Sequence, residues 1–378
     1  MRHSTVLIVG AGPAGLAMGG RLRRMGIPFE MLEQSEQIAH AWQQHYDRLH
    51  LHTIKEFSAL PHQPFPADFP RYIPRRKLVG YYENYAREMR LEPHFGEEVV
   101  HVRREGQHWR IATRRGTEFE AQGVVVCTGF NRVVNRPKYA GESEFGGKVL
   151  HSREYKNPQP FLGQKVLVVG MGNTGAEIAL DLYEQGVEAT LSVRGPVNIV
   201  PRDFNGRPTQ QTAKLLNKLP TSIGDWIGVQ VQKLAIGDLT PYGIQRPDLP
   251  PAKQLRVKGK TPVIDIGTVA QIKAGKIAVK PGIDRYTPKG VRFADGSSDS
   301  FDAVILATGY HSRVQDFVEQ AEGLLNEHGH PASSIAPPSH PQLYFLGFDA
   351  YSTGILESIY KESARIAADI YRWAGNDL

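Results

Sequence analysis

The stretch "VLIVGAGPAGLAMGGRLRRMGIPFEMLEQ" at residues 6–34 is repeated, with changes, at residues 166–194 as "VLVVGMGNTGAEIALDLYEQGVEATLSVR". In each copy a short β-branched run suited to a buried parallel strand enters a glycine turn, and a helical period then leads to a second strand. The glycines are Gly10, Gly12 and Gly15 in the first copy and Gly170, Gly172 and Gly175 in the second. The first of each set permits a tight turn, the second lets the backbone approach a pyrophosphate, and the third lets helix and strand pack closely. Two βαβ units of this kind commit the chain to an α/β fold with two Rossmann-like, dinucleotide-binding domains.

The copies end differently. Glu33 stands 18 residues past Gly15 at a strand end, where a carboxylate can hydrogen-bond both ribose hydroxyls of an adenine dinucleotide. The matching place, 19 residues past Gly175, holds Arg194, with Ser192 just before it. A carboxylate there would repel a 2′-phosphate, whereas a guanidinium can grip it with two parallel hydrogen bonds. The pair therefore reads as FAD on the first copy and NADPH on the second, an arrangement that makes sense if a hydride passes between them. Disulfide reductases, oxygenases and NADPH–flavin oxidases all have that need. The chain's one cysteine, Cys127, removes the first class, because no redox pair can form.

At 378 residues the chain has room for one large domain or two to three ordinary ones, and 40% hydrophobic with 22% charged residues suits a soluble globular protein. The formal charge of +6 comes from dispersed Lys and Arg, so no nucleic-acid partner is expected. No run approaches ~18 uninterrupted apolar residues, so no membrane partner is expected. "MRHST" leads straight into the first strand, which with the lone cysteine gives an expected cytoplasmic location. No metal site is expected, and a homodimer is left open.

Residues 39–75 are dense in Trp, His, Tyr, Phe and Pro and read as a site-lining loop. A helix at "KLVGYYENYAREMRL" precedes a β-meander over "EEVVHVRREGQHWRIATRRGTEFEAQGVVVCTG". Residues 196–262 are punctuated by proline, with helices expected at "TAKLLNKL" and "SIGDWIGVQVQKLAIG". Strands follow at "FDAVILATGY" and "QLYFLG", then a helix, "ILESIYKESARIAADIYRWA".

Between the two fingerprints, "FGGKVLHSREY" sets Phe145, Gly147, His151 and Tyr155 in the spacing FxGxxxHxxxY. That pattern resembles the linker signature of class B flavin monooxygenases, and with both fingerprints and "LATGY" at 306–310 the likeness spans residues 5–370. Within the class the chain resembles the plant YUCCA-like subgroup, through "LEQSEQIAHAWQQHYDRLHLHTIKEFSALP", "LPTSIGDWIG", "RP" at 246–247 and "GKTPVIDIG" at 259–267.

The resemblance implies that NADPH reduces FAD, that the reduced flavin takes up dioxygen, and that a flavin hydroperoxide shielded from water transfers one oxygen atom to a small-molecule substrate. It implies FAD contacts from Gly10, Gly12, Pro13, Ala14, Gly15, Glu33, Gln34, Trp42 and Leu51, and NADP contacts from Gly170, Gly172, Asn173, Thr174, Gly175, Ser192 and Arg194. His151 is a candidate for catalysis, although the family favours an influence on domain movement or NADP handling. His52 is the second catalytic candidate: many amine- and sulfide-oxidising members carry Asn three residues before a Lys-Glu pair, and here His52 precedes Lys55-Glu56. This departure favours carbonyl substrates over N- and S-oxygenation. "LGFDAYSTG" is expected to return to the flavin.

The expected layout is a discontinuous FAD domain, residues 1–160 and 303–378, its sheet completed by "FDAVILATGY" and "QLYFLG". An NADP domain, 161–302, is inserted into it, with loops at 196–262 covering an active site near His52. The expected function is an NADPH- and FAD-dependent monooxygenase for a carbonyl or 2-oxo acid. The alternatives are N- or S-oxygenation of amines or sulfides, and an NADPH oxidase or flavin reductase releasing hydrogen peroxide.

Overall fold

The computed structural model describes residues 2–216, 218–349 and 354–375. Contacts divide the chain into two units: Met1–Gln44 with Thr53–Val133 and Tyr310–Leu378, and His45–His52 with Val134–Gly309.

The first unit is built on a seven-stranded sheet. Arg2–Val9 lies at its centre, paired in parallel with Phe29–Glu33 on one side and Glu118–Val126 on the other. Val6, Leu7 and Ile8 are fully buried, which is why the second half of this strand, Val6 to Val9, reads as an unbroken apolar run rather than an alternating one. The expected meander forms from Val99–Glu105, His108–Thr113 and Glu118–Val126. Leu343–Phe345 returns parallel to Val124–Val126. Helix Ile355–Ala374 buries Leu356, Ile359, Ile366 and Ile370, spaced at helical period, and packs on helix Pro13–Met25. The "AYST" part of "LGFDAYSTG" lies outside the described residues.

The second unit holds an all-parallel five-stranded sheet in the order Ala278–Lys280, Glu188–Ser192, Lys165–Val169, Ala303–Leu306, Lys148–His151. Its core gathers Leu150, Val166, Val168, Ile178, Leu191 and Ile305. The sheet corrects one expectation. "FDAVILATGY" does not complete the first sheet: Ala303–Leu306 is buried throughout and pairs with Lys165–Val169 and Lys148–His151. A fully buried β-branched strand can serve either sheet, and its sequence carries no mark of which.

For the same reason the linker signature groups with the second unit, since Lys148–His151 is an edge strand of that sheet. His45–His52 groups there as well. Tyr46 is buried in the second unit's core, Leu49 packs against that core, and the Asp47 N–H donates to the Lys156 carbonyl at 2.8 Å. The chain therefore passes between units four times, after residues 44, 52, 133 and 309.

Candidate functional site

The first glycine turn is shaped by close approach. Gly10 sits at φ +107°, and a Cβ there would lie 2.8 Å from the Cys127 carbonyl oxygen. A Cβ on Gly15 would lie 1.8 Å from the Gly10 carbonyl oxygen, so strand and helix meet only because both residues lack side chains. Gly12, by contrast, borders open space and caps helix Pro13–Met25, whose first turn has Pro13 but no side-chain cap. The leading N–H groups, with the positive end of the helix behind them, are left to an anion.

Glu33 is buried beside the turn, one oxygen accepting from the Ala11 N–H at 2.8 Å and the other from the Ser35 N–H at 2.9 Å. An uncapped N-terminus, an open glycine and an adjacent carboxylate fit the diphosphate and ribose of an adenine dinucleotide. Ala14 is buried and Gln34 exposed. Trp42 lies edge-on to Tyr82, with ring centroids 6.3 Å apart. Leu51 is buried too, but it belongs to the second unit.

The second turn repeats this geometry. Gly170 sits at φ +103°, a Cβ on Gly175 would lie 1.9 Å from the Gly170 carbonyl oxygen, and Gly172 borders open space at the uncapped start of helix Asn173–Glu184. Asn173 and Thr174 open that helix. The Asn173 Oδ1 accepts from the Ile264 N–H at 2.7 Å, and the Thr268 hydroxyl donates to the Ala176 carbonyl at 2.9 Å. "GKTPVIDIG" and the residue after it thus clasp the helix that carries the turn.

Ser192 is buried, with its hydroxyl donated to the Pro281 carbonyl at 2.8 Å. Arg194 is exposed, its stem against Gly282. Its guanidinium makes no hydrogen bond or ion pair among the described residues. A 2′-phosphate fits such an unpaired cation at a strand end. The two proposed partners of that phosphate therefore differ: Arg194 has donors to offer, whereas the Ser192 hydroxyl proton is already committed.

His52 does not stand alone. Its Nε2 lies 3.0 Å from Glu177 Oε2, which also accepts the Tyr46 hydroxyl at 2.8 Å, while the buried Nδ1 has no hydrogen-bond partner among the described residues. Glu177, Asp181 and Glu184 are spaced i, i+4, i+7 along helix Asn173–Glu184 and share one face. Arg48 reaches all three, pairing with Glu184 and lying 3.7 Å from Asp181 and 4.0 Å from Glu177. Tyr155 donates to Asp181 Oδ2 at 2.7 Å. Burial holds the Asp181 carboxyl above its usual range and pushes both tyrosine hydroxyls well up, with the facing carboxylates adding to the tyrosine shifts. Tyr46, Arg48, Glu177 and Asp181 were missed by sequence reasoning. Their available signal was the row of acids on an otherwise apolar helix.

His151 is also enclosed. Its Nδ1 accepts from the Arg153 N–H at 3.1 Å, so the proton sits on Nε2 and is donated to the Gly309 carbonyl at 3.2 Å. Burial, the largest influence, holds the imidazole below its ordinary range, which keeps it neutral at pH 7. Gly309 also accepts from the Asn135 N–H at 2.9 Å, and Asn135 and Thr308 exchange side-chain hydrogen bonds with each other's backbone. The ends of the segment 134–309 are thus joined through Asn135, Thr308 and Gly309, and His151 bonds to that junction at the Gly309 carbonyl. The other signature residues are structural in the same way: Phe145 packs on Tyr286, and a Cβ on Gly147 would lie 2.4 Å from the Asp302 carbonyl oxygen.

A family model described as flavin-binding monooxygenase-like matches residues 5–328. The chain is 38% identical to the indole-3-pyruvate monooxygenase YUCCA4 of Oryza sativa subsp. japonica, over 96% of this chain and 86% of that protein. It is 37% identical to the probable indole-3-pyruvate monooxygenase YUCCA8 of Arabidopsis thaliana, over 96% and 88%. Among solved structures, a flavin-containing monooxygenase from Stenotrophomonas maltophilia superposes with a TM-score of 0.75 at 23% identity, covering 99% of both chains, a likeness of fold.

Proposed function

The chain belongs to the flavin-binding monooxygenase-like family, whose members are FAD- and NADPH-dependent enzymes, and from that premise we propose that it oxygenates a 2-oxo acid. The preferred reaction is oxidative decarboxylation of an aromatic 2-oxo acid such as indole-3-pyruvate. The observation that carries this reading is the likeness, over almost the whole chain, to proteins named as indole-3-pyruvate monooxygenases. In the proposed reaction the bond between the carboxyl carbon and the keto carbon breaks and carbon dioxide leaves. The keto carbon becomes a carboxylate containing one oxygen atom of dioxygen. The other oxygen atom leaves as water, with NADPH and a proton supplying the hydrogens.

FAD held at the Gly12 turn and Glu33 would supply the hydride-accepting and oxygen-transferring chemistry. The chain's residues bind and orient. Glu33 and the uncapped turn at Gly12 would hold the first dinucleotide, and the turn at Gly172 with Arg194 would hold the second. The role proposed for His151 is positioning: burial holds its imidazole below the ordinary range, and both ring nitrogens are bonded to backbone. His52 is a proposed site residue, and with Nε2 3.0 Å from Glu177 Oε2 the ring nitrogen it would offer is Nδ1.

The test is a panel of 2-oxo acids, amines and sulfides scored by product formed per NADPH oxidised. Near-stoichiometric arylacetic acid from an aromatic 2-oxo acid is expected. Hydrogen peroxide as the sole product with every compound, or products from amines and sulfides alone, overturns the reading.

A further inference from the structure

Seven of the eleven large apolar side chains exposed among the described residues fall within residues 215–257. The helix Thr221–Ile236 concentrates them. Ile223, Trp226, Ile227 and Leu234 follow the spacing i, i+3, i+4, i+11, which places them on one face of a helix. Trp226 is 64% exposed and Leu234 78%.

The opposite face of that helix is occupied. Gln232 is buried, its amide donating to the Ile199 carbonyl at 2.8 Å and to Asn198 Oδ1 at 3.2 Å, and Ile236 is buried in the second unit's core. Helix Thr209–Leu216 packs close by, since a Cβ on Gly224 would lie 3.0 Å from the Leu216 carbonyl oxygen. Helix Pro251–Lys258 is pinned by Arg256, which donates to Asp225 at 2.6 Å. These contacts set the outward orientation of the apolar stripe, and Leu215, Leu219 and Val257 extend it on the flanking segments.

Charge says what such a surface meets. Residues 207–260 contain nine Lys and Arg against three Asp and Glu, a net of +6. The whole chain carries 45 against 39, also +6, so everything outside this stretch is balanced. Two of the three acids are occupied, Asp225 by Arg256 and Asp238 by the Thr240 N–H. Lys214, Lys218, Lys233, Lys253, Lys258 and Lys260 are all exposed.

We propose that this three-helix face docks on an anionic lipid surface, with Trp226 and Leu234 in the headgroup–acyl boundary and the lysines on the headgroup phosphates. Two copies of the face would bring like charges together, which disfavours a homodimer through it. A nucleic acid would match the lysines but would leave the apolar stripe uncovered. No described helix is long and apolar enough to cross a membrane, and Thr221–Ile236 has 16 residues against the ~20 a span needs, so the contact is peripheral.

The test uses the full chain loaded with FAD and vesicles of phosphatidylcholine, alone or with about 30% phosphatidylglycerol. Co-sedimentation with the anionic vesicles is expected at low salt, falling at least about tenfold with neutral vesicles or in 0.5 M salt. Trp226→Ser with Leu234→Ser should weaken binding at least about tenfold while FAD content and melting temperature hold. Should that variant fail to fold, Lys214→Glu with Lys218→Glu and Lys258→Glu probes the same surface from its rim and should abolish anionic binding. Equal binding to both vesicle types, no binding at all, or a concentration-dependent dimer that the Trp226 and Leu234 substitutions dissociate overturns the proposal.

Discussion

Arg194 and Glu33 show how much a single residue can decide. Each ends a near-identical βαβ unit, yet Glu33 is buried and doubly hydrogen-bonded whereas the Arg194 guanidinium is exposed and unpaired. A hydrogen bond to a charged group contributes about 1.5–3 kcal/mol, so Arg194→Ala should raise KM for NADPH roughly 10- to 100-fold and leave KM for NADH nearly unchanged. Steady-state kinetics with both nucleotides check this, and an equal change in the two would remove the phosphate assignment. His151 makes a different prediction. Because its ring is neutral and both nitrogens are engaged, His151→Ala should cost about 1–3 kcal/mol of stability through the Arg153 N–H left without its acceptor and the loss of a buried ring, while the Gly309 carbonyl keeps the Asn135 N–H. The ionisations seen in the pH profile of kcat should persist in the variant. Loss of one of them would make His151 an acid–base group. The glycines and the Glu–Arg contrast were legible in the sequence because they act locally. The partners of His52 and His151 were not, because Glu177 and Gly309 are distant in sequence and meet them only in the fold.

At the level of elements, the last helix carries a hidden charge. Ile355–Ala374 buries Glu362 along with its apolar stripe, and burial, followed by the nearby Asp349 carboxylate, pushes its carboxyl up to about 7 from 4.5. Between those two values the folded chain holds a proton that the unfolded chain has released, so stability falls as pH rises through that window and levels off above about 7. Glu362→Gln keeps the neutral form at every pH. It should match the wild type near pH 4.5 and exceed it by about 1–3 kcal/mol at pH 8 in denaturant unfolding. An unchanged difference across the range would show that Glu362 ionises normally. The helices at 209–216 and 221–236 and the meander were legible from periodicity alone. Which sheet takes Ala303–Leu306 was not, since four buried residues pair equally well with any apolar neighbour.

At the scale of the whole molecule, the short excursion at residues 45–52 sets two readings against each other. The family resemblance places Leu51 among the FAD contacts. The contacts within the fold place His45–His52 in the other unit, with Tyr46 in that core and Asp47, Arg48 and His52 bonded to Lys156 and the acids of helix Asn173–Glu184. A ligand that binds only the folded form stabilises what it touches and what unfolds together with it. FAD should therefore slow amide exchange over the first glycine turn and Glu33, and NADP+ should slow it over residues 166–194. The segment 45–52 should follow NADP+, because the Asp47 N–H is held by a carbonyl of the second unit and Glu177 lies on the helix that the second glycine turn opens. Hydrogen exchange read by mass spectrometry, with each nucleotide added alone, separates the cases. Protection of 45–52 by FAD and not by NADP+ would restore the segment to the flavin side and make Leu51 its anchor there. Protection by NADP+ alone would instead mean that a piece of chain written inside the first nucleotide unit serves to steady the second.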